Sequence, residues 1–152
     1  MTILRAARLS AGYGAVPAIE AVDLAVAGGE YVGIVGPNGS GKTTLLRALL
    51  GLLPAQAGGV ELWGVPLADF RGWRKIGYLP QSTSLPFRRF PADVREVVAS
   101  GRLAHLRFPK RLGSADRNAV ERALDLLELR PLARRMIGEL SGGQFQRVCL
   151  AR

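Results

Sequence analysis

The chain has 152 residues, 48% of them hydrophobic, and carries a formal net charge of +9. That length and apolar content suit one folded domain with a real core and exclude an intrinsically disordered segment. A single cysteine, Cys149, excludes an internal disulfide framework, and no apolar run approaches the length that spans a bilayer.

Thr2 to Leu9 alternates loosely and predicts an opening strand, broken by Gly12-Tyr13-Gly14. Ala18 to Val26 predicts a second strand on the same edge, and Gly28-Gly29 a turn. The apolar run Tyr31-Val32-Gly33-Ile34-Val35 predicts a short buried strand. After it comes Gly36-Pro37-Asn38-Gly39-Ser40-Gly41-Lys42-Thr43-Thr44, which fits the phosphate-binding loop G-x-x-x-x-G-K-[ST]. Leu45, Leu46, Leu49 and Leu50 then recur at helical spacing, so the loop stands between a strand and a helix, where the motif needs to be. Its glycines let successive N–H groups point inward at phosphate oxygens, and the positive end of the helix adds to that field. Lys42 is the candidate contact to the terminal phosphates, and the Thr43 hydroxyl a candidate Mg²⁺ ligand. A plain glycine-rich turn is the alternative, but it needs no lysine and hydroxyl in that order.

The first helix is expected to stop near Gly51, with Pro54 beyond it. Gly58 to Gly64 predicts a strand between glycine turns, and Ile76 to Leu79 another that Pro80 ends. From about Pro91 to Leu132 the pattern turns helical and arginine-rich. Val94, Val97 and Val98 form one apolar stripe, and Val120, Ala123, Leu124 and Leu127 a second. Ser114 is the expected N-cap of the second helix, with Asp116 placed against the helix dipole. The basic balance favours polyanionic partners. Its small groups, Arg88-Arg89, Arg107 to Arg111 and Arg134-Arg135, lack interleaved aromatics, so a solvated face and a docking surface stand equal. A lone His105 has no partners at metal-ligand spacing. Cys149 reads as a small apolar residue on a helix.

Leu140-Ser141-Gly142-Gly143-Gln144 is the second motif. Ser141 and Gln144 have capping-box spacing. Two glycines inside the box weaken the first turn, which makes sense where a ligand must approach the backbone, so a second anion site is the competing reading.

Together these residues resemble the ATP-binding subunit of ABC transporters. The phosphate loop matches that family's Walker A and Leu140 to Gln144 its signature sequence. Gln81, after Tyr78-Leu79-Pro80, matches the Q-loop glutamine, and Tyr13 the aromatic that stacks on adenine. Ile76 to Gln81, Phe90-Pro91, Val97-Val98, Gly101-Arg102 and His105 resemble the zinc and manganese uptake branch. The resemblance implies an α/β P-loop NTPase core of the ABC ATPase type, with an N-terminal antiparallel β edge and an inserted α-helical subdomain. The expected division is a nucleotide-binding core at 1–90, a helical subdomain at 91–140, and the signature with the start of its helix at 141–152.

The same resemblance implies ATP and Mg²⁺ as cofactors. Two subunits would pair head to tail around two ATP molecules, so that the phosphate loop of one faces Ser141, Gly142, Gly143 and Gln144 of the other. Gln81 would sense the γ-phosphate and Mg²⁺. The helical subdomain would grip a membrane permease, with a substrate-binding protein in the complex and the ATPase on the cytoplasmic face of the membrane. Closing and opening of the ATP sandwich would switch the permease between its two accesses. No nucleic acid is expected. The family continues with an apolar strand ending in aspartate, a catalytic glutamate and a switch histidine. None stands here, so the chain is expected to be truncated, to lack the later part of the core, and not to turn over alone. The alternatives are a soluble ABC ATPase acting on nucleic acid or ribosomes, and a non-catalytic nucleotide-binding fragment.

Overall fold

Alternation in the first residues becomes strand β1 (Thr2–Ala11), which pairs on both sides in an antiparallel sheet. A computed structural model describes residues 1–80, 91–105 and 111–152. They form two units, Met1–Trp73 and Arg74–Arg152. In the first, β1 lies between β2 (Ile19–Ala27) and β3 (Ala57–Leu62), and β4 (Val65–Pro66) completes the order β2-β1-β3-β4. The expected antiparallel edge is thus present. Trp63 and Gly64 join β3 to β4 with φ of 51° and 76°, the two positive values a two-residue I′ hairpin requires.

The centre of the sheet is bulged. Arg8 has φ 46°, and its N–H donates to the side-chain Oδ1 of Asp23 on β2 at 2.8 Å instead of to a backbone carbonyl. Opposite it, a Cβ on Gly58 would lie 2.2 Å from the Arg8 carbonyl oxygen, so only glycine lets β3 close over the bulge. Ala6, Leu9, Ala11, Ile19 and Val60 then form one face of a core, completed by Ala48, Leu49 and Leu53.

Helix α1 (Lys42–Leu49) supplies two of those residues. Its buried face is Thr44, Ala48 and Leu49, while Leu46 stays 42% exposed although it belongs to the predicted apolar set. The helix ends as Gly51 predicts. Gly51 at φ 68° donates to Ala48 O at 3.1 Å and Leu52 to Arg47 O at 2.8 Å, the paired bonds of a Schellman motif.

Two predicted strands do not form. Tyr31 to Val35 is irregular, with Tyr31 and Val35 almost fully exposed, and Ile76 to Leu79 is irregular with Tyr78 and Leu79 exposed. A strand exists through its ladder partner, and among the described residues neither segment has one.

The second unit is helical. Helix α2 (Val94–Ser100) opens with a capping box: Glu96 N donates to Asp93 Oδ1 at 2.8 Å and Asp93 N to Glu96 Oε2 at 2.9 Å. Val94, Val97 and Val98 are buried as their stripe predicts. Helix α3 (Ser114–Leu126) buries Val120 and Leu124, with Ala123 and Leu127 packed alongside. Its N-cap is Gly113, one residue before the predicted Ser114. Asp116 accepts the Gly113 N–H at 3.1 Å, so Ser114 joins the first turn. Leu129, Ala133, Ile137 and Leu140 extend this core to helix α4 (Gly142–Ala151), which contributes Phe145 and Val148.

Candidate functional site

The phosphate-loop motif folds as a turn running into α1. Gly41 is the N-cap at φ 84°, and a Cβ there would lie 2.6 Å from Ile19 Cγ2 and 2.9 Å from Ala18 O. Backbone conformation and space both demand glycine, and the tight packing seats the loop against the start of β2. Among the described residues no side chain caps α1, so its first amides and its positive end belong to the loop. Thr43 is exposed at this junction, and Thr44 is buried below it.

Lys42 folds back over the loop. Its Nζ donates to Gly36 O at 2.8 Å and Pro37 O at 2.6 Å, with Ser40 Oγ at 3.5 Å. Ser40 N donates to Pro37 O at 3.3 Å. The structure thus gathers Gly36, Pro37, Ser40 and Lys42 around one ammonium, with Asn38 and Gly39 at the turn between them. Neutral carbonyls hold this cation, and an anionic oxygen is a stronger acceptor than either.

Tyr13 lies on the turn between β1 and β2 with 66% of its surface exposed. Its hydroxyl accepts a hydrogen bond from Arg47 Nη1 at 2.6 Å. Gln56 steadies the same turn, donating through Nε2 to Gly14 O at 2.6 Å and through its N–H to Ser10 O at 2.8 Å. Arg47 and Gln56 escaped the sequence reading. The available signal was Arg47's place as the one charged residue between Leu45 and Leu50.

In the second motif Ser141 is the N-cap of α4. Gln144 N donates to Ser141 Oγ at 3.3 Å and Ser141 N to Gln144 Oε1 at 2.9 Å, so the capping box forms. Leu140, Phe145 and Val148 anchor the motif in the core, while Ser141, Gly142 and Gly143 are exposed. Among the described residues nothing lies within 4 Å of a Cβ placed on Gly142 or Gly143, so packing against them does not call for either glycine. Gln81 and Arg88-Arg89 lie outside the described residues.

Five arginines of the helical unit pair with carboxylates of the same unit. Arg95 and Arg130 both pair with Glu121, Arg130 also with Asp125, Arg102 with Asp116, Arg135 with Glu139 and Arg147 with Glu128. The hydrogen bond from Arg130 holds the Asp125 carboxyl below the usual range. Burial pushes the Cys149 thiol up, against a smaller pull from Arg152. Among the described residues no three His, Cys, Asp or Glu side chains gather into a metal site, and no helix is long and apolar enough to cross a membrane.

The chain is 44% identical over 135 residues to the zinc uptake system ATP-binding protein ZurA of Listeria innocua serovar 6a, covering 89% of this chain and 52% of that protein. It is 43% identical over 135 residues to the manganese transport system ATP-binding protein MntB of Listeria monocytogenes serovar 1/2a, covering 89% and 55%. It spans about half the length of these curated relatives. Among solved structures it superposes on cbiO1 of Clostridium perfringens, part of the ABC transporter complex cbiONQ, with a TM-score of 0.82 and 26% identity. That match covers 99% of this chain and 60% of the other. The fold is therefore that of an ABC ATPase, as the resemblance implies. The ABC transporter family model matches residues 19–152, and the chain belongs to that family.

Proposed function

We propose that this chain is the nucleotide-binding part of an ABC transporter's ATP-binding subunit, serving uptake of a metal ion of the zinc or manganese type. The observation that carries the reading is Lys42, whose ammonium is held over the loop by the carbonyls of Gly36 and Pro37. The β- and γ-phosphate oxygens of ATP would replace those neutral acceptors, while the amides from Gly39 to Thr44 would hold the rest of the triphosphate. The names of the zinc and manganese relatives support the cargo.

The donor set fits Mg²⁺ only in company with the nucleotide. Thr43 is exposed at the head of α1 and would supply one oxygen, with phosphate oxygens, water and Gln81 completing the shell. The metal would neutralise charge on the β- and γ-phosphates. Tyr13 would carry the base. Ser141, Gly142, Gly143 and Gln144 would meet the γ-phosphate held by a second subunit paired head to tail. Their open glycine surface supports that role, since two glycines in a first turn are a cost that no contact among the described residues explains.

The permease would dock on the helical unit. Between α2 and α3 lies an open groove of about 370 Å³, floored by Ala99, Leu112 and Val120 and rimmed by Arg95, Arg117 and Glu121. Such a surface suits a short amphipathic helix of a membrane partner, with a substrate-binding protein on the far side and the subunit at the cytoplasmic face. Internal pairing of five arginines weighs against a nucleic-acid partner.

ATP hydrolysis belongs to the whole subunit on this reading, and this chain alone binds without sustained turnover. Asp93, Asp116, Glu121 and Glu139 lie in the helical unit, where Asp93 caps α2 and the other three pair with arginines. The test is calorimetry of the 152-residue chain with Mg-ATP beside Lys42→Ala, together with phosphate release. Binding that Lys42→Ala weakens at least about tenfold, with release near background, is the expected result. Equal binding by the two proteins sinks the nucleotide assignment, and steady release that Lys42→Ala abolishes sinks the no-turnover part.

A further inference from the structure

We infer that Arg47 is a positioning residue for the nucleobase, acting through the hydroxyl of Tyr13; the inference rests on the reading of the loop as an ATP site. Tyr13 is 66% exposed, so packing does little to fix its ring. An exposed aromatic hops between rotamers on the ps–ns scale unless something holds its tip. Here the tip is held, because Arg47 Nη1 donates to the hydroxyl at 2.6 Å across 34 residues of sequence. A charged donor makes this stronger than a bond between neutral groups.

Arg47 is itself a stiff anchor. It sits in the last turn of α1 next to the buried Ala48, and its carbonyl accepts from Leu52 N at 2.8 Å and Leu53 N at 3.2 Å. The same helix begins at Lys42. One rigid element therefore carries the phosphate-loop lysine in its first turn and the Tyr13 tether about a turn and a half later. Gln56 holds the other side of the Tyr13 turn through the Gly14 carbonyl. With its hydroxyl end tied down, the ring keeps its faces free, and a base can stack on a face without first ordering the side chain. Stacking distinguishes a nucleotide from a bare polyphosphate, whereas the loop alone does not.

The test compares Mg-ATP with Mg-tripolyphosphate by calorimetry on the 152-residue chain and its variants. Arg47→Ala keeps α1 intact, since alanine is the best helix former. Arg47→Ala and Tyr13→Phe are each expected to weaken Mg-ATP about threefold to tenfold and to leave Mg-tripolyphosphate unchanged. The double variant is expected to lose no more than either single one, and Arg47→Lys to regain part of the loss. Unchanged Mg-ATP binding by Arg47→Ala, an equal loss for both ligands, or additive losses in the double variant would each overturn the proposal. Lys42→Ala separates the two levels. If it binds both ligands as the parent does, the ATP-site reading fails and this inference with it. If it weakens both while Arg47→Ala weakens neither, only the role of Arg47 falls.

Discussion

Lys42 Nζ donates to the Pro37 carbonyl at 2.6 Å, tying the first residue of α1 to the second residue of its own loop. The contact preorganises the loop and holds a cation where the terminal phosphates are proposed to sit. Lys42→Ala should therefore weaken Mg-ATP binding more than Tyr13→Ala does, because the proposed lysine contact is charge-assisted and the proposed tyrosine contact is stacking. Calorimetry on both variants gives the order. A larger loss for Tyr13→Ala would reverse the assignment of the dominant contact.

Gly41→Ala should destabilise the first unit. The left-handed conformation alone costs about 1–2 kcal/mol for alanine, and the new methyl meets Ile19 Cγ2 and the Ala18 carbonyl as well. Urea titration followed by Trp63 and Trp73 fluorescence measures the loss. A midpoint equal to the parent's would mean that the turn relaxes without strain.

Ser141→Ala and Gly143→Ala should move stability in opposite directions. The first removes the acceptor for Gln144 N and should cost about 1 kcal/mol. The second adds a methyl into open space in a helical turn and should add roughly 0.5–1 kcal/mol. If the signature glycines serve a partner's nucleotide, Gly143→Ala will nevertheless impair ATP-driven pairing of the full subunit, which light scattering reads out. Pairing that survives the change would remove the close-approach reading.

Cys149 carries a pH dependence. Burial raises the folded thiol pKa above its unfolded value, so folding favours the neutral form. The corresponding stability is complete below the unfolded pKa and is lost as pH rises through the folded one. Alkylation by iodoacetamide at about pH 8.5 should be slower in the native chain than in urea. Equal rates would show the thiol to be as accessible and as acidic as in the unfolded chain.

Local chemistry was legible in the sequence and partnership was not. The glycine–lysine–threonine order before α1, the Ser141–Gln144 spacing and the valine stripe of α2 each act within a few residues: a helix starts at Lys42, the capping box forms and the three valines are buried. Tyr31 to Val35 and Ile76 to Leu79 have the composition of buried strands, but composition records what a segment can bury and not whether a neighbour pairs with it. Ser114 lost the cap to Gly113, whose N–H the Asp116 carboxylate accepts. The Tyr13–Arg47 bond joins positions 34 apart, which no periodicity encodes.

Tyr31, Val32 and Val35 put three large apolar side chains into water beside backbone groups that no described strand engages. To a chaperone this stretch looks like a nascent chain still waiting for its neighbour. The expected consequence in a test tube is concentration-dependent behaviour. Dilute protein would bind a hydrophobic dye as a monomer, and concentrated protein would cover the same stretch by pairing with its own kind.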